Sequence, residues 1–171
     1  MEHLEKRLNN ACYSIRVLSK YLDLKTLKTV YYANFESIVR FGIIFFGHSS
    51  DTNRIFLVQK RVLRCILKIS SRETCRRKFK SNKILTVAAI YIQEILIFTF
   101  KNINNFIGNP RSDYNTRNRN INLLYPVHHL TITEKNVHYS CTKIYIKGYK
   151  KSIYLLLMHL EPYHLQEYFE M

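Results

Sequence analysis

Apolar residues recur near the start of the chain at alternating spacings of four and three: Leu4, Leu8, Ala11, Ile15, Leu18 and Leu22. This is one stripe of an α-helix, and it predicts a packed helix over 3–22. Asp23 then stands as an N-cap, its carboxylate placed to accept the free amides of the next turn. A second helix is expected from Leu24 to Phe41 or beyond, with Leu27, Tyr31, Phe35 and Ile38 facing inward. Gly42 and Gly47 bracket the run Ile43-Ile44-Phe45-Phe46, which reads equally as more helix or as a buried strand. Ser49-Ser50-Asp51 is the next cap signal. Over 53–69 the pattern is sharpest. At 100° per residue, Ile55, Val58, Val62, Ile66 and Ile69 fall on one side, and Arg54, Lys60, Arg61, Arg64 and Lys68 on the other.

A polar cluster, 70–83, separates this helix from an apolar one predicted over 84–107. Pro110, Pro126 and many Asn and Arg between Gly108 and Leu130 read as a long loop. Thr131-x-x-Glu134 has the form of a capping box that opens a last helical stretch, interrupted at Gly148 and Pro162. No internal repeat is present. The expected fold is mainly α: an antiparallel helical bundle in which 3–22 and 24–41 pack against 53–69 and 84–107. It divides into a helical region 1–107, a loop 108–130 and a helical tail 131–171.

Composition supports a folded helical domain, since hydrophobic residues make up 47% of 171 positions and there are only 4 Gly and 3 Pro. Charge changes the picture more. The net charge of +15 draws a protein toward polyanions, nucleic acid first and anionic membrane second. A genome whose codon bias favours Lys, Asn, Ile and Tyr would raise the charge as well. Met1-Glu2-His3-Leu4-Glu5-Lys6-Arg7 has no apolar core, so no secretion signal is expected. Cys12, Cys65, Cys75 and Cys141 are scattered and never form a Cys-x-x-Cys pair, as expected of reduced thiols in an intracellular protein. Ile84 to Phe100 is apolar, but Gln93-Glu94 sit near its middle. A carboxylate there would cost roughly 2.5–3.5 kcal/mol in a bilayer, so a buried core helix and no membrane partner are expected.

Candidate chemistry is sparse. Metal-assisted phosphoryl transfer needs carboxylates gathered around a shared ion pair, and the only aspartates, Asp23, Asp51 and Asp113, are isolated. There is no Gly-rich phosphate loop and no Gly-x-Ser-x-Gly elbow. No catalytic activity and no cofactor are expected. His128, His129, His138 and Cys141, with Cys75, are the candidate zinc ligands, but only His138-x-x-Cys141 has close spacing, and that is ordinary for one helix face. No metal site is expected.

The strongest functional signal is the basic segment from Arg54 to Lys83: Arg54, Lys60, Arg61, Arg64 and Lys68, then Arg72, Arg76, Arg77, Lys78, Lys80 and Lys83. Cations at one-turn spacing suit a phosphate backbone in charge and reach. Glu73 is the only acid among them. Phe79 and Tyr91 are candidates for stacking on a base. The competing reading is a solvated face opposite a core. Tyr13, Tyr21, Tyr31 and Tyr32, at helical spacings, are expected to pack in the core or at its rim.

Several runs, taken in order, carry a family resemblance. They are Lys6-Arg7-Leu8-Asn9-Asn10-Ala11-Cys12-Tyr13-Ser14-Ile15-Arg16-Val17-Leu18, Tyr31-Tyr32-Ala33-Asn34-Phe35-Glu36-Ser37, Phe41-Gly42-Ile43 and Phe46-Gly47-His48-Ser49. After them come Gln59-Lys60-Arg61-Val62-Leu63-Arg64, Cys75-Arg76 with Phe79, Ile84-Leu85-Thr86-Val87 with Tyr91-Ile92, and Tyr114-Asn115-Thr116-Arg117. Together they resemble the region just after the polymerase palm in reverse transcriptases of jockey-like non-LTR retrotransposons. The chain departs from that pattern at Phe46, where the family has Trp, and at Ile146-Lys147-Gly148, where it has an Asn-x-Leu-Pro turn. The resemblance covers about Lys6 to Arg117. It implies a thumb-to-tail piece, with the palm and its paired aspartates upstream of Met1. It further implies a basic helical region that grips RNA or an RNA/DNA duplex, and a polymerase palm fragment as a second partner. Three readings stay open at this point: a binding module, the accessory part of a split polymerase, and a transposon-derived frame with no selected function.

Overall fold

A computed structural model describes residues 2–106, 123 and 130–149 of the chain. The described residues are mainly helical and include no strand, as the apolar periodicity predicts. Two units are distinguished, Met1–Glu94 and Ile95–Met171, each with its own buried residues.

In the first unit, α1 is Glu2–Leu18 and buries Leu8, Ala11 and Ile15 of the expected stripe together with Cys12, while Leu4, Leu18 and Leu22 are half-buried. Asp23 caps α2, Leu24–Tyr31, by accepting from the Lys25 amide at 3.1 Å. α2 does not stop at Tyr31. It passes through a π-helical turn, Tyr32–Glu36, into α3, Ser37–Phe46. The reason lies in the spacing of the buried residues Leu27, Tyr31, Phe35, Val39 and Ile43. A strict spacing of four drifts roughly 40° per step around an α-helix, and a wider turn absorbs part of that drift. The ring of Phe35 stacks on Tyr31, with centroids 5.5 Å apart. Val39, and not the expected Ile38, is thereby the fully buried residue. The run Ile43–Phe46 is helix, settling the choice between helix and strand.

The turn into α4, Thr52–Leu67, is held by Thr52, whose hydroxyl donates to the Phe46 carbonyl at 2.9 Å. Asp51 occupies the cap position but its side chain makes no capping bond, so the cap signal at 49–51 works through hydroxyls. α4 buries Ile55, Val58, Val62 and Ile66 as expected, together with Gln59 and Leu63. Within 70–83 lies a short helix, α5, Arg76–Ser81, which the polar composition did not announce. The N-terminal part of α1 lies by α3, where Leu4 and Arg7 line one pocket with Ser37 and Phe41. The last turns of α1 and α4 meet at the opposite end.

α6, Val87–Lys101, starts three residues later than expected. A 3-10 turn, Ile103–Asn105, follows it. In the second unit, Thr131–Lys135 forms a 3-10 turn, and the α-helix begins only after it. Asn136 accepts from the His138 amide at 3.2 Å and opens α7, Val137–Tyr149. α7 continues past Gly148 to Tyr149. The expected loop lies outside the described residues apart from Leu123 and Leu130, and so does the tail beyond Tyr149 with Pro162.

Candidate nucleic-acid interface

The basic face of α4 is set by its core face. Burying Val58, Val62 and Ile66 turns Arg61, Arg64 and Lys68 outward. α1 packs alongside, and its C-terminal end contributes Arg16 and, in the turn beyond, Ser19 and Lys20. Between them lies an open depression of about 600 Å³, lined by these cations with Cys65, Ile69 and Ser71. No carboxylate lines it. Five positive side chains from two helices thus surround one acid-free groove, which concentrates positive potential.

Local structure holds several of these groups in place. Arg64 donates from Nη2 to the Glu73 carbonyl at 3.2 Å, which braces it against the segment after the helix. Its Nε is buried without a hydrogen-bond partner. Arg16 reaches across to the Cys65 sulfur of α4, an interaction that holds its guanidinium above the ordinary arginine pKa. Lys68 ends α4 in the left-handed region, φ 53°, with its amide and that of Ile69 both donating to the Arg64 carbonyl. That conformation is disfavoured for a residue with a Cβ, and it turns the chain so that Ile69 and Ser71 close the groove.

The groove takes three of the nine expected binding residues: Arg61, Arg64 and Lys68. Arg54 is exposed at the far end of α4, and Arg72, Arg76 and Arg77 are exposed outside the lining. Lys60 lies over the Phe56 ring, 4.3 Å from its centroid. Lys78 pairs with Glu73 at 3.0 Å, a surface ion pair that offsets its charge locally. Arg16 and Lys20 were missed, although their spacing of four on α1 is the same one-turn spacing as in α4.

Two aromatic expectations are corrected. Phe79 is buried and stacked on Phe56 at 5.9 Å, and Tyr91 is buried with its ring against Gly47, so neither presents a face to a base. In the other direction, Tyr13 and Tyr21 are 67% and 80% exposed and are not core residues. Tyr31 is buried as expected, whereas Tyr32 is exposed and donates to the Lys83 carbonyl at 3.2 Å.

Among the described residues, carboxylates and metal-ligand types are dispersed. Glu36 and Glu94 do approach each other, but both bind Arg40. His138 stacks on Phe106 at 4.6 Å, and Cys141 is buried with its thiol pKa raised by that burial. Among the described residues no group of three His, Cys, Asp or Glu is placed to hold a metal ion. His128, His129 and Asp113 lie outside them. Among the described residues no helix is long and apolar enough to cross a membrane. No family model, curated protein or solved structure matches the chain.

Proposed function

We propose that this chain is a non-catalytic nucleic-acid-binding element that grips phosphate backbone without reading sequence. The observation that carries the reading is the acid-free groove between α1 and α4, with Arg16, Lys20, Arg61, Arg64 and Lys68 around it. Cations on two helices at one-turn spacing offer contacts along a phosphate chain, and such contacts position a ligand but carry no base information. The resemblance to the post-palm region of a retrotransposon reverse transcriptase supports the same reading. On that resemblance the ligand is RNA or an RNA/DNA duplex, and a separate palm fragment would bring the chemistry.

The test is equilibrium binding of labelled RNA and DNA over a salt series. Affinity falls with salt at a log–log slope of about −0.7 to −0.9 per phosphate neutralised. Replacing Arg61, Arg64 and Lys68 together by Gln should flatten that slope by about two to three, one contact per residue. A second triple variant, Lys6, Arg7 and Arg54 to Gln, removes the same charge at exposed positions outside the groove and should change the slope little. Equal losses in both would reduce the binding to diffuse attraction by a +15 chain and overturn the reading.

A further inference from the structure

Tyr13, Arg16 and Lys20 follow one another at i, i+3 and i+7, which places them in one row along α1 and its terminal turn. Arg16 and Lys20 line the groove. Tyr13, one turn back in the same row, is 67% exposed, although the core-facing residues Leu8, Ala11, Cys12 and Ile15 anchor the helix on either side of it in sequence. A large aromatic ring left in water gains nothing for folding. Beside a groove of cations it is an aromatic platform next to a polyanion track, the combination that binds unpaired nucleic acid.

We propose that the groove takes a single strand, with phosphates on Arg16, Lys20, Arg61, Arg64 and Lys68 and one base stacked on Tyr13. The inference rests on the nucleic-acid reading above and adds the strand state of the ligand. In a duplex the base faces are covered by their neighbours, so the Tyr13 ring has nothing to stack on. In a single strand every base has a free face, and stacking tolerates any sequence, in keeping with contacts that otherwise reach only phosphate. The polar side of the ligand meets the two helices, and its apolar faces meet the exposed ring.

Fluorescence anisotropy of the full chain with three ligands of equal phosphate number distinguishes the outcomes. These are a short oligothymidylate, an abasic strand and a hairpin duplex. The oligothymidylate is expected to bind most tightly. Tyr13→Ala should weaken it by about 5- to 150-fold, the usual range for one lost stacking contact, and leave the abasic strand unchanged. Tyr13→Trp should restore binding of the oligothymidylate. Tyr13 is exposed, so neither change disturbs the core. If Tyr13→Ala binds oligothymidylate as tightly as the parent, or if the duplex binds most tightly, the single-strand inference is wrong and the backbone reading stands. If none of the three ligands binds, both fall together.

Discussion

The Gln59 amide nitrogen donates to the Tyr31 hydroxyl at 2.8 Å, inside the first unit where both residues are buried. The same nitrogen donates to the Leu85 carbonyl at 2.8 Å, and the Gln59 oxygen accepts from the Val87 amide at 3.0 Å. One side chain on α4 thus ties α2 to the start of α6 and satisfies an otherwise free amide at a helix N-terminus. Burial pushes the Tyr31 hydroxyl well above the ordinary tyrosine pKa, so it stays a neutral partner.

Gln59→Leu keeps the side chain's bulk but strands the Leu85 carbonyl and the Val87 amide and takes one partner from the Tyr31 hydroxyl. Each buried unsatisfied group costs about 1–3 kcal/mol, and relaxation toward water recovers some of it. The expected loss is about 2–4 kcal/mol, read as a lower denaturant midpoint. A loss below about 0.5 kcal/mol, the scale of an ordinary surface change, would show that the network is replaceable.

Arg40 gives the pH dependence. It donates to Glu36 at 2.9 Å from Nε and to Gln93 at 3.0 Å from Nη2, and it pairs with Glu94. Burial pushes the Glu36 carboxyl above the ordinary glutamate range, and Arg40 pulls it back. A carboxyl whose folded pKa is raised binds its proton more tightly when folded. Its ionised form therefore costs stability above both pKa values, and that cost fades as pH falls through the folded value. Arg40→Met removes the pull. At neutral pH it should destabilise toward the lower end of roughly 3–5 kcal/mol, because Arg40 is partly exposed. The deficit should shrink on acidification toward about pH 4, near the ordinary glutamate value. Denaturant midpoints of parent and variant at both pH values check this, and a constant gap would contradict it.

Two glycines should respond oppositely to alanine. At Gly47 a Cβ would overlap the Tyr91 ring and fall 2.6 Å from the Ile43 carbonyl oxygen. Gly47→Ala should cost about 1–3 kcal/mol, as overpacking does. At Gly42, inside α3, the nearest atom is a Phe46 ring carbon at 3.4 Å, and Gly42→Ala should stabilise by up to about 1 kcal/mol through helix propensity. Thermal unfolding of the two variants reads both signs at once.

Much of this was legible in the sequence where one element sufficed. The stripes of α1 and α4 and the Asp23 cap follow from spacing and local hydrogen bonding alone. What the sequence hid depends on neighbours. Gln59 sits in an apolar stripe and reads as an interruption until Tyr31, Leu85 and Val87 surround it. Tyr13 and Tyr21 fall off the row of Leu8, Ala11 and Ile15, so the stripe itself left them outside, although tyrosine commonly packs at a core rim. Phe79 looked available because its neighbours are basic, but Phe56 covers it. The groove is tertiary in origin: Arg61, Arg64 and Lys68 announced one wall, and only the packing of α1 on α4 supplied Arg16 and Lys20 as the other.

The most direct check on the groove uses Cys65. It lines the groove and is half-buried, whereas Cys12, Cys75 and Cys141 are buried, and burial raises the thiols of Cys12 and Cys141 further from reaction. Iodoacetamide should therefore label Cys65 first, with each site's rate followed by peptide mass spectrometry. Saturating oligonucleotide, confirmed bound by anisotropy in the same buffer, should slow labelling of Cys65 while leaving the slow rates of the other three unchanged. A bound oligonucleotide that leaves the Cys65 rate unaltered would place the ligand elsewhere on the protein and contradict the assignment of the α1–α4 groove.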